Sequence, residues 1–350
     1  MKASFISTAT LLNSARSTTA RTQADLAKAN IEVNKGRYAD VGLELGYKTA
    51  TTLDLRQQVD AITEQQKRND LTKVRLGNSQ TALNQIRSDG EAFLALIAPG
   101  KLTDASGGII AQAAASKLSA FIGQMNSSTA GQFIFSGINS AQRPLADYEA
   151  SPQSKAKTAF TQAFQTAFGF PPGTQPGASQ ITAAQMKSFL DGPVATLFAD
   201  PQWGDNWSSA SNTNIRNEIG PGENPETSTN ANAQAFRQLA MIYTIGSDVG
   251  LASLAPATQS VVYEKMRSVA GLATVGVTQL QADLGAVEAR VTTLGTQLDA
   301  QKNILTEGFG SLENVDRAEA SSRVENLKTL LQISYSLTSQ TRKLSLIDYV

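Results

Sequence analysis

The sequence has no cysteine and no histidine among its 350 residues. Without thiols no disulfide can form, so stability must come from packing or from association. The same absences remove zinc sites built on His or Cys, and the Ser–His and Cys–His nucleophilic pairs. Aromatic residues are scarce, at 6% of the chain, while Ala, Ser, Thr, Gln and Asn recur throughout. That suits long helices with small side chains better than an aromatic-rich globule. No charge excess exists either, since 30 basic residues balance 30 acidic ones. Lys and Arg are scattered, so no cationic face is available for counterion release, and no nucleic-acid partner is expected. No run approaches the roughly 18 apolar residues of a membrane span, so no membrane insertion is expected. The opening MKASFISTATLLNSARSTTA interrupts its apolar residues with Ser and Thr. A cleaved secretory signal is therefore not expected, and an external protein would need another export route.

Catalytic chemistry is equally short of parts. Asp40/Glu44 and Glu313/Asp316 have the spacing of carboxylates on solvated helix faces, and no ligand set accompanies them. No phosphate-binding glycine loop follows a strand, and Ser106-Gly107-Gly108 reads as a helix start. The expectation is no enzyme, no cofactor and no metal.

What is present is a set of heptad seams. Val277, Leu280, Leu284, Val287, Val291, Leu294 and Leu298 follow alternating steps of three and four, and Leu305 continues them. Such a stripe demands a partner helix. One helix is expected from about Pro256, well placed in a first turn, to about Glu307. Its partner is the segment from Lys48 to Ile97, where Leu55, Ile62, Leu76, Leu83 and Ile97 share a register that Asn69 and Gly90 interrupt. A buried Asn can fix helix alignment at some cost in stability. A shorter helix follows, with Ile110, Ala114, Leu118, Phe121 and Met125 on one face.

Weaker seams occupy both ends. Phe5, Leu12, Thr19, Leu26 and Val33 recur every seven residues, and Leu327, Leu330, Ser334, Leu337, Thr341 and Leu344 alternate steps of three and four. Many inward positions are small or polar, each contributing about 1 kcal/mol or less on burial. These ends are expected to order fully only when other copies of the chain surround them. Two breaks set them off. NKGRYADVG, from Asn34, holds Gly36 and Gly42; GFGSLENVD, from Gly308, holds Ser311 and ends at Asp316. The breaks lie at comparable distances from the two termini, as expected if the chain ends run side by side, and they form a candidate joint.

The middle, from about Arg143 to Ala255, differs in character. Phe160, Phe164 and Phe168 mark the core face of a short helix. A second helix around Ile181–Ala199 is expected to kink at Gly192-Pro193. Trp203 and Trp207 are better explained as structural anchors than as a sugar platform. Asn212–Ile219, PGENP and Glu226–Phe236 are expected to form a hairpin. The fold class is thus mainly α: an antiparallel coiled-coil shaft built from N- and C-terminal segments, with a small inserted α/β domain. The expected division is a terminal assembly part at 1–40 and 310–350, a shaft at 41–142 and 256–309, and an outward-facing insert at 143–255.

Four stretches resemble the flagellin superfamily, and within it the hook–filament junction proteins. NKGRYADVG occupies the place of the family's turn after the first helix. AGQFIFSG, from Ala130, is similar to its Gly-aromatic-x-Phe-x-Gly strand. LGAVEARV, from Leu284, resembles its heptad segment, and LENVDRAEASSRVENLKTLLQISYSLTSQTRKLSLIDYV, from Leu312, is the most specific. The family's prolines after the first turn are missing here; Asp40 and Gly42 remain. The resemblance implies an extracellular flagellar subunit, exported by the flagellar type III apparatus with the help of a chaperone. It also implies a short ring that touches the other hook-associated junction protein and flagellin. A filament flagellin and a secreted coiled-coil effector or adhesin stay open as alternatives.

Overall fold

The computed structural model describes residues 8–99 and 106–347. Twelve α-helices are labelled here in chain order. The N-terminal half contains α1 (Thr8–Lys35), α2 (Val41–Leu45), α3 (Thr49–Leu96) and α4 (Ser106–Met125). Two short strands follow, β1 (Ser128–Thr129) and β2 (Gln132–Phe133). The middle supplies α5 (Lys155–Phe168), α6 (Gly177–Gln180), α7 (Ala183–Phe189), α8 (Ala195–Leu197), α9 (Gln202–Asn206) and α10 (Gln234–Asp248). Two long helices complete the chain, α11 (Pro256–Glu313) and α12 (Arg317–Ile347). The residues divide into two compact units, 65–296 and 1–64 with 297–350, and α3 and α11 contribute to both.

In the 65–296 unit, α3 and α11 pair antiparallel. The Gln80 side chain donates to the Gln281 carbonyl at 2.8 Å, and Arg267 donates to the Ile97 carbonyl at 3.0 Å. Leu76, Leu83, Ile86 and Phe93 from α3 are buried, as are Val277, Leu284, Val291 and Leu294 from α11. Neither Asn69 nor Gly90 breaks α3; they serve as contact points instead. A Cβ on Gly90 would meet the Leu239 side chain of α10 at 3.4 Å. Asn69 is buried and donates to the Ile219 carbonyl at 2.8 Å.

Helix α10 is the centre of this unit, with Phe236, Leu239, Ile242, Tyr243 and Ile245 all enclosed. It lies close against α4, whose expected face (Ile110, Ala114, Leu118, Phe121, Met125) is buried throughout. Gly246 permits that approach, because a Cβ there would fall 2.6 Å from the Ala114 Cβ. The ring of Tyr243 meets Phe93 edge-on at 5.2 Å, a favoured aromatic geometry.

The middle elements pack on this core. Ser154 caps α5 by accepting the Lys157 N–H at 3.1 Å, and Gly169 closes the helix at φ +83°. Phe160 and Phe164 are fully buried, with Phe164 edge-on to Phe189 at 5.5 Å. The expected kink near Pro193 is a π-turn, Leu190–Val194, between α7 and α8. Trp203 and Trp207 stack on each other at 5.5 Å, and Tyr148 stacks on Trp207 at 5.1 Å. Both indoles are enclosed, so neither offers a free face to a sugar.

The β structure is slight. Ser128–Thr129 and Gln132–Phe133 pair through a two-residue turn with Ala130 at φ +51° and Gly131 at φ +79°, the primed-turn geometry of a tight hairpin. The second hairpin is shorter than the sequence suggests. Thr227 N–H donates to the Ile215 carbonyl and Ile219 N–H to that of Glu223, whereas the chain from Gln234 onward is helical. Its arms are rich in Asn, Thr and Ser, and side chains replace part of the ladder. The Ile215 N–H, for example, donates to the Ser228 hydroxyl at 2.8 Å.

In the 1–64/297–350 unit, α1 runs antiparallel to α12. Gln23 donates to the Tyr335 hydroxyl at 2.6 Å, and nearer the break Arg323 donates to Glu32 at 3.1 Å. The sequence places the end of the last shaft helix near Glu307; instead α11 continues through Gly308 and Gly310 to Glu313. Glycine costs only about 1 kcal/mol in a helix interior and does not stop one. The Ser311 hydroxyl bonds within the helix, to the Gly308 carbonyl at 2.8 Å, and Asp316 accepts the Ala318 N–H at 2.8 Å at the start of α12.

Candidate assembly faces and the joint between chain ends

The apolar and hydroxyl positions of the α1 seam are deepest where the side chains are small. Thr22 and Ala29 are buried, while Leu26 and Val33 are half-buried beside them. Small centres let α1 and α12 approach closely. On α12 the inward stripe is Ala320, Val324, Leu327, Leu331, Ser334 and Thr338, with the first two buried and the others half-buried. Leu330 and Leu337 lie one residue off that stripe, at 53% and 56% exposure, and Ile333 beside them is 50% exposed. The other expected terminal positions, Phe5 and the side chains of Leu12 and Leu344, lie outside the described residues.

The contrast with the other unit is sharp. Among the described residues, the contiguous hydrophobic core runs through the 65–296 unit, from Leu76 to Leu294. Among the described residues of the terminal unit, the buried apolar side chains are Ala29, Leu298, Ala320 and Val324. Ile31, Leu43, Leu53 and Ile304 stay exposed there, as Leu71, Ile109, Leu272 and Val275 do in the other unit, so the units differ in buried core and not in exposure. Of the expected shaft positions, Leu55, Ile62, Leu280, Val287 and Leu305 are half-buried; the rest are buried.

The joint is built from backbone and charge. Gly36 takes φ +68° after the last turn of α1, a conformation that a Cβ penalises. Its carbonyl accepts the Val315 N–H at 3.1 Å, and Tyr38 N–H donates to the Glu313 carbonyl at 3.0 Å. The two breaks therefore bridge each other antiparallel, Arg37 opposite Asn314. Gly42, by contrast, is helical within α2, which Asp40 caps through the Leu43 N–H at 3.0 Å. Gly308 sits inside α11, a would-be Cβ distance of 3.7 Å from Leu55, and Asp316 is exposed.

Two enclosed carboxylates flank this bridge. The Glu313 side chain is 4% exposed and accepts two N–H groups of the Arg56 guanidinium, from Nε at 2.9 Å and from Nη2. Arg37 approaches the same carboxylate at 3.9 Å. That hydrogen bond is the main cause holding the Arg56 proton even more tightly than an ordinary guanidinium does. The Arg56 group also lies over the Phe309 ring at 5.0 Å. The Glu32 side chain is 7% exposed and takes Arg323 on one oxygen and the Ala39 N–H, at 3.3 Å, on the other. Sequence reasoning singled out neither Glu32 nor Arg56. One signal existed: Glu32 follows the inward Ala29 by three residues, so a charge sits on a seam position and requires a cation from the facing helix.

Paired terminal helices, bridged at a joint and with half-exposed apolar side chains along α12, have the form of a helical structural subunit. The family comparison gives the same class more sharply. Residues 6–140 match the bacterial flagellin N-terminal helical region, and residues 268–350 match the bacterial flagellin C-terminal helical region, together more than half of the chain. The chain belongs to the flagellin family, and as such is a structural, non-enzymatic flagellar protein. Among solved structures it is similar to one assigned to a flagellar hook-associated protein from Vibrio parahaemolyticus. The TM-score is 0.51 at 12% identity, covering 76% of this chain and 97% of that one. At that identity the likeness concerns the fold. No curated protein matches the chain at a significant level.

Proposed function

We propose that this chain joins hook to filament, forming a short ring of copies at the hook tip, outside the cell. One observation carries the assembly part of this reading: among the described residues the terminal unit buries few apolar side chains, Ala29, Leu298, Ala320 and Val324, and leaves Leu330, Ile333 and Leu337 half open to solvent. Covering three such side chains would stabilise a subunit in a ring by about 2–4 kcal/mol. The junction part is supported by the fold likeness to a hook-associated protein and by the C-terminal stretch from Leu312. In this scheme the segments at 1–40 and 310–350 pack around the central channel. Segments 41–142 and 256–309 form the shaft layer, and 143–255 faces outward. Its neighbours are further copies, the other hook-associated junction protein and flagellin, and an export chaperone escorts its C-terminal segment beforehand.

A strain lacking the chain tests this directly. The junction role predicts complete hooks, no attached filaments and flagellin released into the medium. Loss of the filament subunit itself, with no other flagellin secreted, would instead identify the chain as filament flagellin.

A further inference from the structure

We propose that a cleft centred on Arg75 in the 65–296 unit receives the exposed α2 segment of a neighbouring copy. The inference rests on the reading that copies pack around one another, and it does not need the junction role. The cleft holds about 580 Å³ between α3, the β1–β2 turn and one arm of the 215–227 hairpin. Leu71 and Val74 of α3 line it and are exposed. Exposed aliphatics taken singly are ordinary on a protein surface; two beside an unpaired guanidinium are not. Arg75 is half-buried, its Nε is enclosed with no partner, and its Nη2 donates to the Phe133 carbonyl at 3.3 Å. Arg56, Arg237, Arg290 and Arg323 each meet a carboxylate, whereas among the described residues none reaches Arg75. Burial without a counter-charge holds its proton less tightly than usual. A guanidinium partly withdrawn from water needs an anion to offset that cost.

The chain carries a segment of the complementary kind. Helix α2 and the turn after it, through Lys48, bury no residue, and Tyr47 is 87% exposed. Leu43 and Tyr47 stand four positions apart, as do Glu44 and Lys48, and all four are exposed. Among the described residues, neither Glu44 nor Lys48 meets an opposite charge. In the docked arrangement Glu44 neutralises Arg75, and Lys48 faces Glu218, an exposed carboxylate on the cleft. Leu43 and Tyr47 cover Leu71 and Val74. Two apolar side chains and two charges of opposite sign thus find their complements on the other copy, and such charge matching fixes the register of an interface.

A charge exchange tests the contact in cells, read as the chain retained in isolated flagella relative to the chain exported. Arg75→Glu alone and Glu44→Arg alone should each lower retention about tenfold, because each brings like charges together. Both changes on one chain should return it to within about threefold of the parent. The absence of cysteine allows a second readout. In isolated flagella, a short bis-maleimide should join Tyr47→Cys, Val74→Cys chains into covalent dimers, and neither single variant should give them. An amine crosslinker applied to the parent reports separately whether copies adjoin. If they adjoin but the exchange gives no rescue, or the two cysteines give no dimer, the docking site is overturned and the packing of copies stands. A maleimide link closed within one chain overturns it as well. Parent copies that do not crosslink at all would remove both readings.

Discussion

Asn69→Ala isolates one buried polar contact whose loss can be worked through in numbers. The Asn69 amide donates to the Ile219 carbonyl at 2.8 Å and accepts from Gln65 at 2.9 Å, while Gln65 also donates to the Glu218 carbonyl at 2.8 Å. These bonds tie the 215–227 hairpin to α3. A neutral hydrogen bond contributes about 0.5–1.5 kcal/mol net, and stranding a buried acceptor raises the loss to about 1–3 kcal/mol. Ile219 is buried, whereas Gln65 is only half-buried and can turn to water. The expected cost is therefore about 2 kcal/mol. Both tryptophans of the chain, Trp203 and Trp207, lie in the same unit, so indole fluorescence during urea unfolding reports that unit. With a slope of about 2–3 kcal/mol/M, the midpoint should fall by about 0.7–1 M. Amides of Ile219 and Thr227 should lose protection first. A midpoint shift under about 0.2 M, with hairpin protection intact, would refute the view that Asn69 anchors the hairpin.

Three further outcomes follow from other sites. Gly246→Ala forces a methyl to within 2.6 Å of the Ala114 Cβ and should cost about 1–3 kcal/mol in the same urea titration; adding Ala114→Gly should recover most of it. The two joint glycines should behave oppositely in thermal unfolding. Gly36→Ala strains a φ of +68° and crowds Arg317, for a loss of about 1 kcal/mol or more, while Gly42→Ala, helical with a Cβ in ordinary contact with Asp40 Oδ1 at 3.6 Å, should be neutral or stabilising by about 0.5–1 kcal/mol. Glu223 accepts Arg290 Nε at 2.8 Å, and this bond holds its carboxyl below the ordinary value. The contribution of that tie is present above the unfolded-state pKa and fades as pH falls through the lowered one. In Arg290→Gln, the Glu223 titration followed by NMR should move up toward 4.5.

How far the sequence speaks for the structure depends on what each residue needs. The three–four spacing of α11 selects Leu284, Val291, Leu294 and Leu298, all buried, because an apolar stripe on a long helix must face a partner. The end of that helix was not legible. Gly308 and Gly310 look like a break, yet without a proline the helix runs on to Glu313. On α12 two stripes share Leu327 and Ser334. They differ only in taking Leu330 and Leu337 or Leu331 and Thr338 between and beyond them, since 3.6 residues per turn lets either neighbour complete a face. Burial against α1 favours the second set and leaves the leucines of the first half open. The joint was visible as paired breaks, but its charge pairs were not. Glu32 and Arg323 lie 291 positions apart, and local periodicity carries no information about such a pairing.

The open face of α12 gives the most direct measurement. Leu330→Ser with Ile333→Ser changes two half-exposed side chains and leaves the stripe facing α1 untouched. Ser and Ile have similar helix propensities and Leu to Ser costs only about 0.5 kcal/mol, so the isolated chain should lose no more than about 1 kcal/mol of stability. Cells carrying this variant should export it at normal levels yet fail to retain it, or any filament, at the hook tip. Normal attachment and normal swimming with both serines in place would contradict the claim that neighbouring copies complete this face.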